Sequence, residues 1–269
     1  MKKIESIILI VIILLIALFL IISNLHIFED DIKADLPINF VLKISKIEDG
    51  LPKTKFTHQI VKYEGFQLSY NEENEQADWT AYILTKQMIK NSTAKRKDNF
   101  REDKNIITET ANNNDYKKSG FDRGHLVPAA DMKWSENAMD ETFFMSNMSP
   151  QYPDFNRKTW KNLEEDIRNW ASKNDSLYIF TGPYFGNSTT TIGKNEVKVP
   201  EYFFKAIYDI SYPEYKSIAF FIKNENSAKD YKIFAITVDS LESLTGFDFL
   251  PKIEHVETIE NNADINKWN

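Results

Sequence analysis

Residues 156–171 read NRKTWKNLEEDIRNWA and residues 119–128 read SGFDRGHLVP. The first predicts a helix, and the second holds a histidine in a stretch that a loop can present. With Asn156 at zero and an advance of about 100° per residue, Trp160, Leu163, Ile167 and Trp170 fall within about 40° of one line, with Glu164 near 80° and Arg168 near 120°. This spacing predicts an amphipathic helix whose apolar stripe faces a core. Asn156 points along that stripe, and a buried amide left without a partner costs about 1–3 kcal/mol. Two readings stay open at this point. Asn156 can be a helix cap, with Glu164 and Arg168 an i,i+4 pair, or all three can edge a functional site.

The four histidines stand at positions 26, 58, 125 and 255, and no two share the close spacing of a helix-borne metal site. A histidine cage for a metal is therefore not expected. His125 lies in a polar, glycine-marked stretch closed by Pro128, where a loop can present a side chain.

Around these two stretches the chain alternates strand-like runs with turns. In YEGFQLSYNEE, Phe66, Leu68 and Tyr70 alternate with polar neighbours, the period of a half-buried strand, and WTAYILT (79–85) is a second β-rich run. NEENEQAD between them reads as a turn. SLYIFTG (176–182), EYFFKAIYDI (201–210), SIAFFIK (217–223) and KIFAITV (232–238) are further predicted strands. Strands outnumber helices and no repeat appears, so an α+β domain is expected.

Composition bounds the function. The 269 residues are 42% apolar and 27% charged, which excludes disorder, collagen and coiled coil. No cysteine is present, which removes disulfide scaffolds, cysteine zinc sites, iron–sulfur clusters and thiol catalysis. A net charge of -7 argues against coating nucleic acid by bulk charge, so any such contact is local. Residues 86–133 carry 11 Lys/Arg against 7 Asp/Glu. That excess is either a phosphate-binding surface or an ordinary charged one.

At the N-terminus, Lys2 and Lys3 precede an apolar run from Ile7 to Ile22. With Ser6 and Ser23 it is long enough for about 27 Å of helix, close to the roughly 30 Å of a bilayer core. No small-residue cleavage pair follows, so an uncleaved anchor over 1–27 is preferred and a cleaved signal peptide is the alternative. Glu29, Asp30 and Asp31 follow the run, and the positive-inside tendency then puts the remainder outside the cytoplasm, periplasmic or extracellular. Residues 28–55 read as a spacer and 56–269 as the folded domain.

DRGHLVPAADM (122–132), followed by ETFFMSNMSPQYPDFNRKTWKNLEEDIRNW (141–170), closely resembles the DNA/RNA non-specific endonucleases, the ββα-metal or His-Me finger nucleases. GFQLSYN, WTAYILT, RKDNFRED and SLESLTGFDFLP also resemble that family, so the likeness covers about residues 58–252. It implies a ββα-metal fold with a central, mostly antiparallel sheet flanked by helices, here preceded by one transmembrane helix. It also implies a metal-dependent enzyme hydrolysing phosphodiester bonds of DNA and RNA to 5'-phosphate products.

By that resemblance His125 is the general base, Asn156 the protein ligand of a single Mg²⁺, with Mn²⁺ the alternative, and Glu164 the acid that holds the ion's waters. Arg96 matches the arginine that stabilises the transition state. Arg123, Asn147 and Arg168 match positions of substrate contact or support. The residue types suit these roles: histidine accepts a proton near neutral pH, and Mg²⁺ prefers hard oxygen donors and keeps its waters. DNA and RNA are the expected partners, with the membrane through the N-terminal segment and no obligate protein partner. A catalytically inactive nucleic-acid-binding module and a phosphodiesterase for small nucleotides are the alternative readings.

Overall fold

A computed structural model describes residues 51–53, 58–211, 215–253 and 256–268, all within one compact unit. The segment expected to be a membrane anchor, residues 1–27, and the spacer up to residue 50 lie outside the described residues. Among the described residues no helix is long and apolar enough to cross a membrane.

The strands in chain order are β1 (Gln59–Lys62), β2 (Gln67–Asn71), β3 (Gln76–Thr85), β4 (Asp122–His125), β5 (Met148–Gln151), β6 (Ser176–Tyr184), β7 (Thr191–Ile192), β8 (Val197–Lys198), β9 (Tyr202–Asp209), β10 (Lys216–Lys223) and β11 (Ala235–Ile236). The helices are α1 (Lys86–Lys90), α2 (Asn113–Tyr116), α3 (Glu136–Glu141), α4 (Lys161–Lys173), α5 (Val238–Thr245) and α6 (Glu257–Glu260). Seven strands form one antiparallel sheet in the order β1-β2-β3-β6-β9-β10-β11. The α+β expectation with a central antiparallel sheet therefore holds.

Side-chain alternation on β9 divides the core into two layers. Phe203 turns to the face covered by α4, 5.8 Å from Trp160 and 5.4 Å from Phe155. Phe204, next in sequence, turns to the other face and meets Phe247 and Phe249, each 5.9–6.0 Å from a neighbouring ring centre. Leu163, Ile167 and Trp170, the stripe read from the sequence, are the buried residues by which α4 packs on the sheet.

Three expectations are corrected. All five residues of β2 are buried, so this strand is covered on both faces and not half-exposed. The stretch 232–238 is mostly not a strand. Asp230 caps a 3-10 turn over Tyr231–Phe234, β11 has two residues, and the Thr237 side chain accepts from the Ser240 amide to start α5. The apolar run there was matched by capping residues on both sides, and the caps prevailed. Finally, the helix read over 156–171 is not uniform. Phe155–Trp160 forms a wide π-helical turn before α4 begins at Lys161. Extra residues in that turn rotate Asn156 away from the line computed for an α-helix. Asn156 is half-exposed instead of lying along the buried stripe.

Candidate active site

Strands β4 and β5 pair antiparallel outside the large sheet, with Asp122 opposite Gln151 and His125 opposite Met148. The π turn and α4 follow β5 in the chain, which completes a ββα unit. Gly124 stands directly under the Gln151 side chain, and a Cβ there would come within 2.2 Å of it. The two-residue period of β4 puts Arg123 and His125 on one face.

His125 lies between two aromatic edges, with ring centres at 5.6 Å from Phe100 and 5.0 Å from Phe143. Its Nε2 is buried with no hydrogen-bond partner, which leaves Nδ1 as the ring nitrogen open to the cleft. Burial first, then the Arg96 charge, lowers the imidazole pKa to about 3, with Asp98 opposing and Arg123 adding a smaller push. Arg96 rests over the Phe143 ring at 4.9 Å and binds Asp98 through Nε at 2.6 Å. Among its basic neighbours, Arg101 turns away to Asp140 at 2.7 Å and Lys97 toward Glu136 at 3.9 Å. Arg96 is thus the member of that cluster which reaches the cleft.

Asn156 is oriented by Asp122, the first residue of the DRGH stretch. Its Nδ2 donates to Asp122 Oδ2 at 3.0 Å, so the amide oxygen is the end left to the cleft. Asp122 in turn is gripped by Arg157 through Nε at 2.8 Å and Nη2 at 2.6 Å. Asn156 is therefore not a helix cap; no side chain caps this helix start.

Glu164, two turns on, lines the same cleft and makes no hydrogen bond or ion pair with another described side chain. Burial raises its pKa, while the buried ammonium of Lys205 and the guanidinium of Arg168 pull the other way. The expected Glu164–Arg168 pair is not formed. Arg168 donates to Asp131 Oδ1 at 2.8 Å, and Tyr82 of β3 donates to the other Asp131 oxygen at 2.7 Å. Lys205 of β9 lies behind this group, fully buried, with its Nζ donating to Thr181 at 2.8 Å and resting 4.9 Å from the Trp160 ring centre. Its own pKa is lowered by burial.

Arg96, Arg123, His125, Asn156, Glu164 and Arg168 thus border one open cleft of about 540 Å³. Two hard oxygen donors, the Asn156 amide and the Glu164 carboxylate, face it without other partners. That donor set fits a small divalent ion which keeps most of its waters. Of the basic stretch 86–133, Arg96 and Arg123 reach the cleft, whereas Arg157, Lys161 and Arg168 come to it from the π turn and α4.

Asn147 is the exception among the expected site residues. It is fully buried beneath the loop after His125, where a substrate cannot touch it. Its Oδ1 accepts from the Val127 amide at 3.0 Å, and its Nδ2 donates to the Val127 and Thr142 carbonyls at 3.0 and 2.9 Å. Asn147 holds the chain that leaves His125. Replacing Asn147 with alanine should lower the unfolding free energy by about 2–4 kcal/mol, because three buried backbone groups lose their partner. Denaturant unfolding of the two proteins measures this; equal midpoints would show that another contact carries the loop.

Sequence reading missed Asp122, Arg157, Lys205 and the Tyr82–Asp131 bracket. One signal was visible: Lys205 is a lone cation inside the strand-like run YFFKAIYD. The other residues are joined only by the fold.

An open imidazole nitrogen, two oxygen donors and several guanidinium groups around one polar cleft are the equipment of a hydrolase acting on an anionic ester. The comparisons specify the class further. The profile of the DNA/RNA non-specific endonucleases matches residues 50–255. The chain is 34% identical over 209 residues to human mitochondrial endonuclease G, spanning 72% of this chain and 70% of that one. It is 36% identical over 236 residues to a nuclease of Nostoc sp., spanning 80% and 83%. The mitochondrial nuclease of Saccharomyces cerevisiae is 33% identical over 219 residues, spanning 73% and 67%. The fold resembles the crystal structure of an EndoG/EndoGI complex with a TM-score of 0.68 and 28% identity, over 77% of this chain and 91% of that one. The chain belongs to the DNA/RNA non-specific endonuclease family, whose members are nucleases acting on nucleic acid.

Proposed function

We propose that this protein is a divalent-metal-dependent endonuclease that hydrolyses both DNA and RNA without base preference and leaves 5'-phosphate ends. The observation that carries this reading is the shared cleft of the His125 Nδ1, the Asn156 amide oxygen and the Glu164 carboxylate. Nδ1 of His125 takes the proton from the attacking water; Phe100 and Phe143 hold the ring edge-on so that this nitrogen stays in the cleft. Asn156 Oδ1, oriented by Asp122, and Glu164 would hold the ion, Mg²⁺ by the hardness of the donors. When bound, the ion supplies charge neutralisation at the phosphate and at the leaving oxygen. Arg96 and Arg123 contribute positive charge beside the imidazole, where negative charge develops on the phosphate.

A cleft bordered by Arg96, Arg123, Arg157, Lys161 and Arg168 favours contacts to phosphates and sugars, which carry no sequence information. Its open form suits a polymer better than a small nucleotide. The retention of an unpartnered base nitrogen and two unpartnered oxygens supports catalysis over passive binding. The apolar run Ile7–Ile22 supports export or anchoring, with the nuclease unit outside the cytoplasm.

The test is digestion of plasmid DNA and single-stranded RNA by the full-length chain in detergent, with Mg²⁺ and with EDTA. Both substrates are expected to be cut with Mg²⁺ and neither with EDTA, and the rate at low substrate should fall about tenfold or more from 50 to 200 mM salt. Cleavage that persists in EDTA would overturn the metal assignment. Binding without cleavage across divalent ions would leave only the binding-module reading.

A further inference from the structure

Away from the cleft, α5 and α6 each present two carboxylates three residues apart, Asp239 with Glu242 and Glu257 with Glu260. Residues at that spacing share a helix face. One carboxylate oxygen from each of Asp239, Glu257 and Glu260 lies within 4.8 Å of the others. Glu242 adds charge nearby and accepts from the Phe249 amide at 2.7 Å. No Lys or Arg among the described residues forms an ion pair with any of the four.

Glu260 differs from an ordinary surface acid. It is fully buried, one oxygen accepts from the Tyr208 hydroxyl, and the other, Oε2, is buried with no partner. A buried carboxylate oxygen without a donor or counter-charge is costly. Two exposed acids converge on that same side chain, although like charges repel. Both features are resolved by one cation. Three converging carboxylates suit Ca²⁺, which takes six to eight oxygens in flexible geometry, better than Mg²⁺, which is usually held by one or two carboxylates. The two exposed acids leave room for waters to complete its shell.

We propose that Asp239, Glu257 and Glu260 form a second divalent-cation site, suited to calcium and separate from the catalytic cleft, which fastens α6 and the C-terminal segment to the domain. The segment beyond α6 carries Trp268, which is buried 5.1 Å from Trp170 of α4. The Lys267 carbonyl accepts from Lys216 of β10 at 2.9 Å. An ion between α5 and α6 thus secures the strap that backs the helix bearing Glu164.

The test uses the full-length chain in detergent, stripped with EGTA and carrying Asn156→Ala to remove the ligand expected in the cleft. Calorimetric titration with CaCl₂ should show one site per chain, and saturating Ca²⁺ should raise Tm by about 5 °C. Adding Asp239→Asn and Glu257→Gln should abolish both the binding heat and the Tm rise. Both side chains are exposed, so these variants fold, and with repulsion relieved their ion-free Tm should equal or exceed that of the Asn156→Ala parent. In the otherwise wild-type chain the same pair of substitutions should leave the nuclease rate in Mg²⁺ unchanged. Absence of Ca²⁺ binding in the parent, or an equal Tm rise in the substituted protein, overturns the site. An equal rise with Mg²⁺ at the same concentration overturns the assignment of calcium.

Discussion

Replacing His125 with alanine should reduce cleavage of plasmid DNA and RNA about 1,000-fold in kcat, within the 10²–10⁴ contributed by a positioned general base. The imidazole Nε2 has no partner to lose, so the variant should fold normally. The pH dependence separates this role from a structural one. Burial and the Arg96 charge hold the free imidazole pKa down to about 3, so the ring is neutral and able to accept a proton through the acidic range. A bound phosphate offsets the Arg96 and Arg123 charges and moves the pKa back toward its ordinary value. The acid limb of kcat, which reports the enzyme–substrate complex, should therefore lie at higher pH than that of kcat/KM, which reports the free enzyme. Initial rates at a series of pH values, over a range of oligonucleotide concentrations, provide both profiles. Coincident acid limbs, or a variant retaining a tenth of wild-type kcat, would remove His125 from the reaction.

The same shift has a consequence for stability. His125 is depressed in the folded state and ordinary, near 6.5, in the unfolded chain. Between those two values the unfolded state binds the extra proton, so the contribution is intact above about pH 6.5 and is lost as pH falls toward 3. His125→Ala should flatten that part of the stability profile.

The second large effect is expected at Asn156. Lewis-acid stabilisation by a bound ion is worth several kcal/mol, so Asn156→Ala should cost about 10²- to 10³-fold in rate at every Mg²⁺ concentration. Asp122→Ala leaves the amide present but releases its Nδ2 and frees Arg157. Loss of such an orienting partner costs about 10- to 100-fold, and here it should appear as a higher Mg²⁺ requirement, partly recovered at excess metal. Rate against Mg²⁺ concentration for the two variants distinguishes the roles. If Asn156→Ala stays within a few-fold of wild type, the ion is held elsewhere. If Asp122→Ala shows a rate loss with an unchanged metal requirement, Asp122 serves only to hold β4 to the helix.

Where the sequence could be read, it was because a single element carried its own pattern. β3, β6, β9 and β10 announced themselves through dense β-branched and aromatic runs, and α4 through the Leu163, Ile167 and Trp170 stripe. β1 is only four residues long, and β4 and β5 spell DRGH and MSPQ, sequences without strand propensity. They are extended because they pair with each other, a contact separated by about the length of the intervening 126–147 segment. The π turn at 155–160 escaped a calculation that assumed a constant advance per residue.

By itself the sequence determined the α+β class, the strands of the sheet centre, the family likeness and the residue types of the site, since these rest on local periodicity and on contiguous motifs. Tertiary structure alone decided that Asp122 turns the Asn156 amide, that Arg168 pairs with Asp131 instead of Glu164, and that Asn147 lies under the cleft and not in it. It also brought Asp239 of α5 to Glu257 and Glu260 of α6. The reason is physical. A pattern along the chain records which side of an element is apolar, whereas the partner of a buried polar group is set by whichever distant element packs against that side.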